Sequence, residues 1–460
     1  MSDKLESMET NRNGVLLGID IGSTTLSIVV ADVESRSICR AYTLPNDSTM
    51  ETGEADFSQQ DADRIVAVLR GLLDRLRRAF PNIQAMGFTG QMHGVLCVDE
   101  AGHAVTPLYT WQDQRADRLA DDCLTYCQQI QALTGWSVCS GYGLATLYYN
   151  KVNNLLPQSA KSFCTIMDYA AMQLTGTTRP VMHASNAASL GLFHLTETCF
   201  DGEAIAALGL SVLEVPEITD GYQILGMCQG IPVITAIGDN QASFFGSIRD
   251  EAASILVNYG TGSQVSVVTA QPYAPDGIEL RPYIDGTYLL CGCALCGGKA
   301  YAVLERFFRK CSQALCGTTG AQYETMNALA ERAYQAGSSL SVSTLFCGTR
   351  SEPGRRGSIS QIDDQNLTPE NLVLGTLQGM VDELADMYRS MGHSGASQLV
   401  ASGNAVQKNP TLRALLADTF GMAVHLTAHN EEAALGAALY AGIGAGVISR
   451  EEAKAFIQLK

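Results

Sequence analysis

The stretch VLLGIDIGSTTLSIVVAD, residues 15–32, sets two apolar runs on either side of Gly22, Ser23, Thr24 and Thr25. It reads as a β-hairpin whose tight turn exposes N–H and hydroxyl donors, with Asp20 at the end of the first strand. Alone, such a unit is an ordinary hairpin. It has a counterpart in SILVNYGTGSQVSVVT, residues 254–269, which repeats the plan: a strand, the polar Asn258, the turn Gly260, Thr261, Gly262 and Ser263, and a second strand. Laying Gly22 on Gly260 puts Asp20 on Asn258 and Ser23 on Thr261. Two halves with the same opening indicate a duplicated domain, and two donor-rich turns suit a polyphosphate.

A single carboxylate follows the β-branched run IPVITAI, residues 231–237, which stops at Gly238 and Asp239. That pattern delivers a side chain from the end of a buried strand, and makes Asp239 a candidate catalytic base. The same residue is also suited to cap a helix beginning near Asn240. Spacing leaves both readings open.

Composition limits what the chain can be. At 460 residues it is long enough for two sizeable domains, and 46% hydrophobic with 17% charged residues is a globular balance. Forty-seven acidic against 30 basic side chains give a formal charge of -17. An anionic ligand must therefore be held locally, by backbone N–H groups, a helix end or a metal, and nucleic acid is not an expected partner. The opening MSDKLESMETNRNG has no apolar core, so residues 1–13 read as a flexible leader, and no segment reaches the roughly 18 apolar residues of a membrane span. A cytoplasmic protein without a membrane partner is expected. Fourteen scattered cysteines read as reduced thiols; the densest cluster, Cys291, Cys293 and Cys296, lacks a companion ligand pair of zinc spacing.

Between the hairpins, Ser58 and Asp61 resemble a capping box, and Ile65, Leu69, Leu72, Leu73 and Leu76 recur at helical spacing until Pro81. A strand over 85–89 then runs into Gly90, Gln91, Met92, His93 and Gly94, where His93 reads either as a substrate ligand or as a turn histidine. Asp113, two residues before Arg115 and beside Trp111, suits sugar hydroxyls or an ion pair. Tyr142 and the stretch from His183 to Asn186 are similar polar punctuation. In the second half, Gly297 and Gly298 precede a helix, KAYAVLERFFRK, whose start suits a phosphate or a plain turn. Residues 338–362 read as a surface loop, 375–391 as a helix and 398–401 as a strand. Residues 402–410 then form a turn into a further helix, and Asn430 reads as the cap of the helix that follows Glu431 and Glu432.

Taken together, GIDIGSTT, NYGTGSQ, GDNQA and SGNAVQKNPTLRALLADTFG followed by EEAALGAAL resemble the FGGY family of carbohydrate kinases, over about residues 14–447. GQMHG, YTWQDQR, SNAAS and PYIDGTYLLCGCALCGG are most similar to its sedoheptulokinase members; xylulokinases share the MHG and the Trp-x-Asp-x-Arg pattern. The resemblance implies an α/β fold of two duplicated actin-like ATPase (ribonuclease H-like) domains with an active-site cleft between them. Residues 14–247 would be the sugar-binding domain and 248–460 the nucleotide-binding one. It further implies transfer of phosphate from ATP, with Mg²⁺, to the terminal hydroxyl of a small-molecule ketose by a monomer or homodimer. On this reading Asp239 takes the hydroxyl proton and Asp20 lies near Mg²⁺ through water. Thr24, Gly260, Thr261, Gly262 and Ser263 face the phosphates with Gly297 and Gly298 nearby. Gln91, Met92, His93, Asp113, Tyr142 and Asn240 line the sugar pocket, and Gly403 and Asn404 border the adenosine. The family usually carries Gly-Gly where this chain has Gly403 and Asn404, which adds a side chain near the nucleotide. A xylulokinase-type pentulose kinase, or a sensor that keeps the fold without the chemistry, are the alternatives.

Overall fold

Val15–Ile21 (β1) and Thr25–Asp32 (β2) pair antiparallel with Asp20 opposite Ser27. Closing this turn, the Gly22 N–H donates to the Thr25 carbonyl at 2.9 Å. These coordinates come from a computed structural model, which describes residues 13–337, 340–349, 352, 354–392 and 395–460. All but the last residue of the expected leader lies outside them.

The first sheet is completed by Ser37–Pro45 (β3), Ile83–Gly90 (β4), Ile224–Cys228 (β5) and Ile231–Ile234 (β6), in the order β5-β6-β4-β1-β2-β3. β4 runs parallel to β1, with Asp20 opposite Thr89, and β6 runs parallel to β4. The helix Ala62–Ala79 lays Ile65, Leu69, Leu72, Leu73 and Leu76 into the core of this unit, as their spacing predicts. Its cap is Asp61 alone, which accepts from the Arg64 N–H at 2.9 Å, rather than a box begun by Ser58.

In the second unit Ser254–Tyr259 (β7), Ser263–Thr269 (β8), Tyr288–Ala294 (β9), Gln398–Ser402 (β10) and Ala423–Leu426 (β11) run in the order β9-β8-β7-β10-β11. β7 is antiparallel to β8 and parallel to β10, and β10 is parallel to β11. Strand for strand this is β3-β2-β1-β4-β6, so the repeat read from two hairpins extends through five strands. Even a detail recurs. Thr89 faces Asp20 and Ser402 faces Asn258 at the ends of the parallel pairs, and each of the two hydroxyls is buried with no partner among the described residues.

The compact units are 13–247 with 281–287 and 431–457, and 248–280 with 288–430 and 458–460. The first therefore extends beyond the expected 14–247, and glycine is the reason. The helix Glu432–Gly444 is apolar all round, and its backbone sits directly on the first sheet. A Cβ on Gly18 would fall 1.8 Å from the Ala434 carbonyl oxygen, and one on Gly87 2.0 Å from that of Ala437. A Cβ on Gly436 would likewise fall 1.9 Å from the Ala242 carbonyl oxygen. Small residues on both partners let backbones meet, a long-range pairing that the order of motifs along the chain does not reveal.

Three local expectations change. Within 338–362, Ser341–Ser343 pairs antiparallel with Ser358–Ser360, and Val342 is buried, so the described part holds a β-ribbon; residues 338, 339, 350, 351 and 353 lie outside the described ones. The helix expected over 375–391 begins at Pro369, because Thr368 caps it through the Asn371 N–H. The helix after Asn430 is entered at Glu431, while the Asn430 carboxamide accepts from Gln407.

Candidate active site

Around the first turn, hydrogen bonds form a closed set. Trp111 Nε1 donates to Ser23 Oγ at 3.0 Å, Ser23 Oγ donates to Gln91 Oε1 at 3.0 Å, and Gln91 Nε2 donates to Gln60 Oε1 at 2.7 Å. Gln60 Nε2 returns to the Ser23 carbonyl at 2.7 Å. Gln91, expected as a sugar ligand, thus spends both ends of its amide tying the turn to the GQMHG segment. Thr24 is exposed, and its carbonyl is held by the Asn46 N–H at 2.8 Å.

Asp239 is the first residue of the helix Asp239–Ser247, so the cap and the site readings of this carboxylate describe one place. Surrounding protein pushes its pKa up to about 6, chiefly by desolvation, while the Arg281 charge and the Asn240 N–H pull the other way. Asp20 is pushed up to about 7 by desolvation first, then by the Asp239 and Glu431 charges. Both residues are partly exposed. Glu431 and Arg281 were missed from sequence. Glu431 looked like a helix-start acid, and Arg281 comes from the short segment that returns to the first unit.

Next to Asp239, Gly238 admits Met92. A Cβ there would stand 2.4 Å from Gln241 Oε1 and 2.7 Å from Met92 Sδ. GQMHG and GDNQ are thereby brought together. His93 has φ of 71°, and its ring stacks on Tyr142 at 4.7 Å with 10° between planes. Its Nδ1 lies 2.8 Å from the Ser189 carbonyl, which can only accept, so Nδ1 carries a proton. Asn240, adjoining Asp239, is partly exposed.

Asp113, expected in the sugar pocket, is held in an ion pair. It has no accessible surface, and Arg115 binds it through two bonds, Nε to Oδ1 at 2.7 Å and Nη2 to Oδ2 at 2.9 Å. The Ser58 N–H also donates to Oδ2. The guanidinium lies 4.1 Å from the Phe57 ring centroid and 4.4 Å from that of Tyr109. This is a buried ion pair that holds loops together.

In the second unit, Gly260 and Thr261 are exposed and Gly262 partly so, whereas Ser263 is buried with no partner for its hydroxyl among the described residues. The Gly298 and Lys299 N–H groups donate to the Gly260 and Thr261 carbonyls, both at 3.0 Å. These helix-start amides, expected to face a phosphate, are thus already engaged. The glycines serve approach instead: a Cβ on Gly297 would lie 2.4 Å from the Gly262 carbonyl carbon, and one on Gly298 2.6 Å from the Gly260 oxygen. Beside this turn is a cavity of about 550 Å³, lined by Gly298, Leu377, Met380, Leu412, Tyr301, Tyr323, Asn327, Asn404, Lys408 and others. That size and its apolar walls with a few polar groups suit a nucleoside. Gly403 carries the positive φ, 98°, with the Tyr259 carbonyl 2.3 Å from where a Cβ would stand. Asn404 therefore bears no such strain and contributes its side chain to the cavity.

Among the described residues, no group of three or more His, Cys, Asp or Glu side chains is placed to hold a metal, and none of the fourteen cysteines forms a disulfide. The acidic crowding at Asp20 nevertheless fits a divalent cation held through water, whose charge would offset the desolvation and the repulsion that together raise its pKa. No helix of the described chain is long and apolar enough to cross a membrane.

Sequence comparison agrees with this geometry. The chain is 26% identical to sedoheptulokinase of Mus musculus, over 92% of this chain and 96% of the mouse protein. It is 24% identical to xylulose kinase of Staphylococcus xylosus, over 93% and 90%. Ligand-bound xylulose kinase from Lactobacillus acidophilus superimposes with a TM-score of 0.82 at 18% identity, covering 97% of this chain and 93% of that one. Residues 15–246 match the N-terminal domain, and 255–445 the C-terminal domain, of the FGGY family of carbohydrate kinases. The chain belongs to that family and is a sugar kinase, a phosphotransferase with an alcohol group as acceptor.

Proposed function

We propose that the protein transfers phosphate from ATP to the terminal hydroxyl of a ketose, sedoheptulose to sedoheptulose 7-phosphate, with Asp239 as the general base. The observation that carries the proposal is Asp239 itself: a desolvated carboxylate with a pKa near 6, on a partly exposed residue next to the Gly238 that packs against Met92, at the head of a helix. Such a group is ionised at neutral pH yet basic enough to accept a proton as the hydroxyl attacks. His93, Tyr142 and Asn240 orient the sugar, and Met92 forms an apolar wall. Thr24 and the Gly260–Ser263 turn face the phosphates, and the cavity near Asn404 receives the adenosine. Bound Mg²⁺ would neutralise phosphate charge, with Asp20 holding its water shell. The choice of sedoheptulose rests on the relatives' names, and Mg-ATP supply suits the cytoplasm.

The test is ADP release from Mg-ATP with sedoheptulose, D-xylulose, D-ribulose, L-ribulose, fructose and glycerol. Highest kcat/KM with sedoheptulose supports the proposal. Highest kcat/KM with xylulose moves the substrate and keeps the mechanism, and no stimulation by any of them points to the sensor.

A further inference from the structure

The polar run His183–Asn186 is not used by the mechanism above, yet it is buried behind Asp239. His183 and Asn186 have no accessible surface, and Ser185 is 1% exposed. The Ser185 N–H donates to His183 Nδ1 at 3.1 Å, and a backbone N–H can only donate, so Nδ1 is an acceptor. The Gly238 N–H donates to Ser185 Oγ at 3.0 Å, which leaves the Ser185 hydroxyl proton for Nδ1, 2.8 Å away. Every direction in this chain is therefore fixed. One residue on, Asn186 Nδ2 donates to the Ala236 carbonyl at 3.0 Å and to Asp168 Oδ1 at 3.2 Å; Asp168 Oδ2 accepts from Thr165 at 2.5 Å. Between these two grips the Ile237 N–H is held by the Phe88 carbonyl of β4 at 3.1 Å. Three consecutive backbone positions are pinned immediately before the base.

We infer that Ser185, oriented by His183, and Asn186 are positioning residues that aim the Asp239 carboxylate by clamping the Ala236–Gly238 backbone. The inference rests on Asp239 being the base. A carboxylate that takes a proton from an attacking hydroxyl must lie within hydrogen-bond reach of it, and a misplacement of about 1 Å can cost a hundredfold in rate.

A double-mutant cycle tests this, using the full chain with Mg-ATP and the best sugar of the panel. Ser185→Ala should lower kcat by about tenfold to a hundredfold while the KM values for sugar and ATP stay within about twofold. In an Asp239→Asn background the same substitution should cost nothing more, because the group it aims is gone. An equal further loss in that background, or an unchanged kcat in the single variant, overturns the inference. An active Asp239→Asn would instead remove the base assignment, a separate result. Should Ser185→Ala fail to fold, His183→Asn against His183→Gly carries the test: Asn keeps an acceptor near the place of Nδ1 and should retain kcat, and equal loss in both overturns the clamp.

Discussion

Gly238 is packed under Met92, so closely that a Cβ on it would stand 2.7 Å from the Met92 sulfur. The atoms in the way, Met92 Sδ and Cε and Gln241 Oε1, are ends of flexible side chains rather than backbone. Gly238→Ala should therefore fold, with a stability loss of about 1 kcal/mol, and displace Met92 beside the base. Circular dichroism should give a near-normal melt, and steady-state kinetics a clear fall in kcat/KM for the sugar. Gly18→Ala is the contrast. Its Cβ would meet a main-chain oxygen at 1.8 Å, and that variant should be recovered insoluble or with a strongly lowered Tm.

Asp239→Asn should lower turnover by at least about a hundredfold while sugar and nucleotide binding, read by calorimetry, persist. The wild-type acid limb of kcat/KM should fall near pH 6, because the base works only when ionised and its pKa is raised to about 6. A limb near the ordinary carboxylate value of about 4 would contradict the desolvated setting.

Much of this was legible in the sequence, for physical reasons that also mark where it stopped. The apolar runs that lead to Asp20 and Asp239 announce themselves because β-branched runs and glycine turns are local signals, although the second strand stops at Ile234 and Asp239 opens the helix that follows. The duplication was legible because both hairpins keep the same order of residues. Partner choice was not. Asp113 beside Arg115 in sequence gives no sign that the pair is walled in by Phe57 and Tyr109. Likewise, Gly297 and Gly298 look like an open anion site until the Gly260 and Thr261 carbonyls are found on the Gly298 and Lys299 amides. Glu431 comes to Asp20 only because a small-residue helix returns to the first sheet.

Asp20 has the opposite effects on stability and activity. Its folded pKa of about 7 stands above the ordinary carboxylate value, so between about pH 4 and 7 the folded state binds more protons than the unfolded state. Its contribution therefore becomes less favourable as pH rises through that window. Asp20→Asn should raise the Tm of the ligand-free protein at pH 8 by about 2–4 °C, do little at pH 4, and weaken the Mg²⁺ dependence of turnover. An equal Tm change at both pH values would mean that charge is not the cause.

At the second unit's cavity, neighbouring residues should behave differently. Gly403→Ala places a Cβ 2.3 Å from the Tyr259 carbonyl at a φ of 98°, and should destabilise that unit and abolish nucleotide binding. Asn404→Gly removes only a side chain from the cavity wall. It should leave the melt nearly unchanged and alter the KM for ATP by a few fold with the KM for sugar constant. A change confined to the sugar KM would place the nucleotide elsewhere.

The last expectation concerns Asp113, where the motif resemblance and the structure point to different experiments. A sugar ligand, once removed, raises KM and leaves the protein stable. A buried, doubly bonded partner of Arg115 leaves behind an uncompensated guanidinium between Phe57 and Tyr109, with, among the described residues, only Asn150 still bonded to it, at 2.6 Å. Breaking such a pair costs about 3–5 kcal/mol. Asp113→Ala should therefore lose soluble yield and melt well below the wild type. Asp113 and Arg115 replaced together by Leu and Met should recover part of that loss, since no buried charge is then stranded. Kinetics on whatever folded Asp113→Ala is recovered decide the matter: a near-normal sugar KM fits the structural ion pair, and a tenfold rise with an unchanged melt restores Asp113 to the sugar pocket.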